Sequence, residues 1–468
     1  MSFRLCNSPP VSKHAQTYAT AQEIAARVST HAVRAVDITE TALERIAHYD
    51  QRLNSFIRVV PDGALEAARD IDDAIRAGKL VGPLAGVPVA LKDLIDLAGV
   101  PTTAGSHRLF HHTPTTDASV VTRLRSAGAV IVGKTGLHEF AYGVTNINPH
   151  TGPVRNPWDL ARIPGGSSGG SGAAVAAGFV AAALGTDTGG SIRIPAALCG
   201  VTGFKPTFGR VPVDGVVPLS WTLDHVGPLA RTAADAAVLF SVLAQVPDVL
   251  AELSRGLAGL RLGVPEGFFW EELDRDVMSG CEDAVRVLTS GEAIQRSCAF
   301  PHASECGAAA AVILAAEAAA YHERRLREHG DAFGEDVRVR LDRGLFLSAA
   351  DYLAAQRARA FLIREATQAL EGLDVLLVPT TPEPAARIEG DASQGARASL
   401  ALSVRYTRCT NPFNLLGFPA LSVPCGLSRE GLPIGLQIVG RPFDDATVLR
   451  VGHAYQQLTD WHKRQPSI

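Results

Sequence analysis

A chain of 468 residues with 46% hydrophobic and 20% charged residues can bury a large core, which excludes a disordered or fibrous protein. The formal net charge of −4, with no basic block, argues against nucleic acid or an anionic membrane as a direct partner. Seven scattered cysteines without a C-x-x-C pair argue against a disulfide framework or a thiolate zinc site and predict reduced, mostly buried thiols.

In chain order, Met1-Ser2-Phe3-Arg4-Leu5-Cys6 lacks the apolar core of a signal peptide. No run of about 18 apolar residues follows anywhere, so a cytoplasmic chain without a membrane span is expected. Thr20-Ala21-Gln22-Glu23 predicts a capping box at a helix start. Ile38, Ala42, Leu43 and Ile46 keep helical spacing, Leu53–Val60 predicts a strand, and Ala64–Ala77 predicts an amphipathic helix ended by Gly78. Val87–Leu91 is apolar on both faces, as a buried strand requires. Ala118–Ala127 predicts a helix, stopped by Gly128 before the strand Ala129–Val132. This alternation predicts an α/β fold with a mixed central sheet.

Two Gly/Ser-rich segments come next, Gly165-Gly166-Ser167-Ser168-Gly169-Gly170-Ser171 and Asp187-Thr188-Gly189-Gly190-Ser191-Ile192-Arg193. Ala233–Ala244 predicts a helix. From about 247 to 345 the composition turns Ala-, Glu- and Arg-rich, which predicts a variable helical insertion or cap within a single 1–468 domain. His322 and His329, in its Arg/Glu-rich run, are expected to be solvated. Strands are predicted to return at Val375–Val378, Ala420–Val423 and Ile434–Val439.

A serine hydroxyl needs a proton acceptor and a stabiliser for the oxyanion it creates. The main-chain N–H groups of Thr188, Gly189, Gly190 and Ser191 can supply the second need, each donor worth about 3–4 kcal/mol. Ser191 ends that turn and is the natural nucleophile. Lys92 is the candidate proton acceptor: only six of the 44 basic residues are lysine, and this one closes an apolar strand. Burial there favours the neutral amine, able to act as a base near roughly pH 7–8.

Other readings of these segments are weaker. A flexible Gly/Ser linker would not run into the apolar Ala173–Ala177. No lysine follows the glycines as a phosphate-binding loop demands, and His138-Glu139 does not extend to H-E-x-x-H. The match to G-x-S-x-G lacks its preceding apolar strand. No metal or cofactor is expected.

Together, Lys92 and the two serine segments resemble the amidase-signature family of serine hydrolases, over roughly residues 20–245 and 345–460. Asn156-Pro157-Trp158, Gly203-Phe204-Lys205-Pro206-Thr207, Pro379-Thr380-Thr381-Pro382 and Leu421-Ser422-Val423-Pro424 add to the resemblance. It implies the amidase-signature α/β fold, with helices on both faces of the mixed sheet. It further implies a relay from the nucleophile Ser191 through Ser167, held by a cis peptide, to Lys92, with an acyl-enzyme that water hydrolyses. Asp187 and Arg193 would brace the nucleophile loop as an ion pair. Tyr142, Gly166, Asn146 or Asn148 would line the substrate site.

Three functions are compatible with that resemblance. The leading expectation is a stand-alone amidase acting on a small-molecule amide, ester, anilide or carbamate (as urethanases do), a monomer or homodimer without nucleic acid or membrane partners. The alternative is the glutamine-hydrolysing A subunit of a tRNA-dependent amidotransferase. That subunit typically carries an acid near the position of Thr407 for the glutamine amine, whereas this chain reads Tyr406-Thr407-Arg408. A non-catalytic scaffold on the same fold is the third, and the intact Lys92, Ser167 and Ser191 disfavour it.

Overall fold

The structure is a computed structural model and describes residues 17–247, 249–290, 292–388 and 395–468. The first six residues, Cys6 among them, and Lys13 lie outside this range. Strands β1 (Phe56–Val59), β2 (Pro88–Lys92) and β3 (Val130–Thr135) come first, then a short ribbon of β4 (Ile147–Asn148) and β5 (Gly152–Pro153). β6 (Ala182–Asp187), β7 (Thr202–Lys205), β8 (His225–Ala230), β9 (Arg261–Pro265) and β10 (Ile294–Cys298) follow. β11 (Val375–Pro379), β12 (Ala420–Leu427) and β13 (Pro433–Gly440) complete the set. Apart from the ribbon, they form one 11-stranded sheet in the order β1-β3-β2-β6-β8-β7-β12-β13-β11-β9-β10. Pairing is parallel for β3-β2-β6 and for β11-β9-β10, and antiparallel elsewhere.

The sheet is apolar on both faces because its central strands are continuous apolar runs, as strands covered on both sides must be. In β11, Val375 and Leu377 join one hydrophobic cluster, while Leu376 and Val378 join another. Such alternation is the pleat sending successive side chains to opposite faces. Helices Ala233–Ala244, Arg275–Thr289 and Asp445–Leu458 cover the first face. Ala303–His329, Ala349–Ala369 and Asn411–Leu415 cover the second. This is the expected α/β architecture of a mixed sheet between helical layers.

Local expectations hold where side chains dictate them. Thr20 and Glu23 form both bonds of the capping box, and the helix Ala233–Ala244 has the expected bounds. Two readings need correction. The 247–345 stretch is not wholly helical, because β9 and β10 extend the sheet; strands of five residues carry little periodic signal. His322 is fully buried, packed among Phe140, Tyr321 and Phe333, because its helix turns that face inward. His329 is exposed as expected. That helix is long and apolar enough to cross a membrane by composition, yet Glu317 and His322 lie on its buried face.

Candidate active site

Lys92 ends β2 and Asp187 ends the neighbouring parallel strand β6. The carboxyl ends of parallel strands are where open α/β sheets leave a crevice. Ser167 precedes the helix Gly169–Ala176, and Ser191 precedes the helix Arg193–Cys199. Sheet and helices thus deliver all three side chains to one place. Backbone packing makes this possible: a Cβ on Gly170 would lie 2.5 Å from main-chain atoms of Gly136 and Ser55, so only glycine lets that helix approach so closely.

The peptide bond between Gly166 and Ser167 is cis. Lys92 Nζ lies 2.7 Å from Ser167 Oγ and 2.7 Å from Thr186 Oγ1. With no exposed surface, Lys92 loses hydration, which brings its pKa down to about 7 against the opposing fields of Asp224 and Asp187. Lys92 is therefore a neutral-capable amine bonded to a serine hydroxyl. Ser191 is 6% exposed, and its carbonyl accepts from Ser168 N at 3.2 Å. Among the described residues, its hydroxyl makes no hydrogen bond with Ser167.

Asp187 organises the turn. Its carboxylate accepts from Gly190 N at 2.7 Å and Ile192 N at 3.1 Å, and from Arg193 Nε and Nη2 at 3.0 and 2.9 Å. Both ion-pair partners are fully buried. Burial pushes the Asp187 carboxyl up, but Arg193, Lys205 and Asn414 overcome this and hold it well below the usual range. Arg193 also donates to Asn414 Oδ1 and Gln437 Oε1, and Thr410 Oγ1 donates to Gly189 O at 2.7 Å. The bond to Asp187 occupies the Gly190 N–H. The N–H groups of Thr188, Gly189 and Ser191 have no partner among the described residues and are the donors left for an oxyanion.

A cavity of about 580 Å³ opens on Ser191. Thr188, Gly189, Tyr142 and Thr407 line it, with an apolar wall including Phe268, Ala308, Leu314 and Val404. Its charged lining is Glu272 against Arg340, Arg343, Arg405 and Arg408. Arg340 is already engaged by Asp336, Ser399 and Ser403, and its guanidinium sits 5.8 Å from the Tyr142 ring centre. Burial pushes the Tyr142 hydroxyl up to about 12, so it stays protonated as a donor.

Lys92, Ser167, Asp187, Thr188, Gly189, Ser191, Arg193 and Tyr142 thus come together in one place; Gly190, expected as an oxyanion donor, instead gives its N–H to Asp187. Gly166 does not line the cavity. It lies against the Val144 main chain, where an added Cβ would meet atoms at 2.9–3.1 Å. Asn148 is also structural, donating to Gly105 O and Leu137 O, and Asn146 accepts from Gly169 N. Sequence reading missed Thr186, Asn414, Thr410 and the cavity arginines. Thr186, next to Asp187, had a usable signal in its position; the others arrive from remote parts of the chain.

The family profile described as Amidase matches residues 37–449. The A subunit of the glutamyl-tRNA(Gln) amidotransferase of Chloroflexus aurantiacus is 42% identical, over 93% of this chain and 96% of its own. A solved bacterial aryl acylamidase of the amidase-signature enzymes superimposes with a TM-score of 0.87 at 26% identity, covering 95% of this chain and 98% of its own. The solved A subunit of the glutamyl-tRNA(Gln) amidotransferase of Thermotoga maritima gives 0.74 at 35% identity, covering 94% and 93%. The Chloroflexus relative overturns the expectation of a monomer or homodimer with a small molecule as sole partner and no nucleic acid. By name it is one subunit of an enzyme defined by a tRNA. Net charge, on which that expectation leaned, reports on a chain's own surface and is blind to partner subunits.

Proposed function

This chain belongs to the amidase family and hydrolyses amide C–N bonds; on that premise we propose that it is the glutamine-cleaving A subunit of a tRNA-dependent amidotransferase. The observation that carries this reading is the 42% identity along 93% of the chain to a protein of that name. In the proposed mechanism Ser191 Oγ attacks the side-chain amide carbon. Its proton passes through Ser167 to neutral Lys92, which returns it to the departing nitrogen so that ammonia leaves. The N–H groups of Thr188, Gly189 and Ser191 hold the oxyanion, and water then releases glutamate from the acyl-enzyme by the reverse relay. The chemistry of the cavity supports an α-amino acid: Arg343, which has no ion-pair partner among the described residues, for its carboxylate, and Glu272 for its ammonium where Thr407 offers none. Reduced thiols on all six described cysteines support a cytoplasmic setting as part of this proposal.

A second reading is favoured by a specific observation. Tyr406-Thr407-Arg408 offers no acid near the Thr407 position where the resemblance implies one for that subunit type, and the cavity wall is largely apolar. This suits a bulkier acyl or aryl amide, anilide, ester or carbamate, and the aryl acylamidase superimposes more closely than the solved Thermotoga protein despite lower identity. The deciding experiment measures glutamate release from glutamine and amine release from a nitroanilide. It compares wild type with Ser191→Ala, each alone and co-expressed with candidate partner subunits. Ser191-dependent glutamate release that rises with a partner supports the first reading. Ser191-dependent nitroanilide cleavage with glutamine untouched rejects it for the second.

A further inference from the structure

Asp224, immediately before β8, is a carboxylate that no cation pairs among the described residues. Its Oδ1 accepts from Thr188 Oγ1 at 2.6 Å, and its Oδ2 from the N–H groups of Leu219 and Ser220 at 2.8 and 3.0 Å. Among the described residues it forms no ion pair, whereas Asp187 is matched by Arg193. Thr188 and Leu219 both line the substrate cavity, so one carboxylate ties the oxyanion turn to the cavity wall. Its outer side lines a separate cavity of about 160 Å³ with Thr207, Phe208, Trp221 and His225.

We propose that Asp224 is a positioning residue that clamps the Thr188 turn, and with it the oxyanion donors, over Ser191. The inference rests on the Ser191–Ser167–Lys92 relay of the proposed function. Two carboxylates reach Lys92 with their fields, Asp224 foremost and Asp187 second. Arg193 and Lys205 already balance Asp187, so Asp224 is the one whose removal Lys92 would feel. The groups acting on Asp224 are burial, which raises its pKa to about 6, and Thr188, Leu219, Ser220 and Lys92, which lower it. His225 beside it is held neutral by burial and by Lys205. An anionic Asp224 stabilises the charged form of Lys92, so neutralising it moves Lys92 to a lower pKa.

The test is the rate of Ser191 sulfonylation by phenylmethylsulfonyl fluoride between pH 5 and 9, which needs no substrate. Ser191 Oγ forms the S–O bond, fluoride leaves, and the hydroxyl proton goes to Lys92. In wild type the rate rises through one basic limb. In Asp224→Ala the plateau falls about tenfold as the turn loosens, whereas Asp224→Asn keeps the plateau near wild type and moves only the limb, acidward by about one unit. Asp224→Asn retains its packing if the amide oxygen faces Leu219 and Ser220 and the Thr188 hydroxyl turns to accept. If Asp224→Ala fails to fold, Thr188→Val reads the clamp by itself, with a lower plateau and an unmoved limb. An Asp224→Ala or Thr188→Val plateau equal to wild type, or an Asp224→Asn plateau as low as that of Asp224→Ala, overturns the inference and leaves the relay intact. Sulfonylation that persists in Ser191→Ala overturns the relay and Asp224's role with it.

Discussion

At the scale of single residues the site is a contest between burial and charge. Lys92 titrates near neutrality because hydration is withheld from it, so turnover should rise as pH increases through about 7. Lys92→Met should abolish that limb and cut kcat about 10²–10⁴-fold, read from a pH–rate profile on any cleaved amide. Asp187 is the opposite case, because Arg193 keeps its carboxyl below the unfolded value. Its contribution to stability is present above the ordinary carboxylate range and is lost as pH falls through the folded value. Arg193→Gln should destabilise by about 3–5 kcal/mol. It should also reverse that slope locally, since an unpaired buried Asp187 titrates above its unfolded value and the variant recovers stability on acidification. Thermal melts at pH 4 and pH 8 distinguish the two slopes. Lys92 was legible in the sequence because lysine is rare in this chain and an apolar strand leads into it. Asn414, bonded to Asp187 Oδ1 at 2.8 Å, was not, because nothing local marks a bond across 227 positions.

The elements were readable wherever periodicity or capping chemistry is strong, as at Thr20–Glu23 and Ala233–Ala244. The short strands β9 and β10 were not, since pairing with a neighbour decides them more than their own residues do. His322 shows how a helix face can mislead. Arg324, Arg327 and Glu328 around it are exposed or paired at the surface, while its own ring is buried with neither nitrogen hydrogen-bonded. Burial, aided by Arg325, lowers its pKa to about 3, so the unfolded chain takes up a proton between about pH 6.5 and 3 that the fold refuses. Stability is then lost as pH falls through that window. His322→Phe should match wild type at pH 8 and exceed it by about 2 kcal/mol at pH 5, read from denaturant unfolding at the two values. The helix Gly169–Ala176 makes a second test. Gly170→Ala forces it off the Gly136 main chain and should cost about 1–3 kcal/mol, with sulfonylation of Ser191 slowing as Ser167 moves from Lys92.

For the molecule as a whole, the α/β class followed from alternating apolar runs and turn signals, and the central strands are buried on both faces as those runs imply. The proposed partner subunits did not follow from composition, because a surface that docks other chains can carry an ordinary charge balance. The 11-stranded sheet also divides the chain's labour. Lys92, Ser167, Asp187, Ser191 and Arg193 come from residues 92–193, whereas most of the cavity wall, from Phe268 to Arg408, comes from the later helices. Recombination between genes of this family could therefore exchange the segment encoding that wall and redirect which bond is chosen, while the inherited machinery for breaking it passes on unaltered.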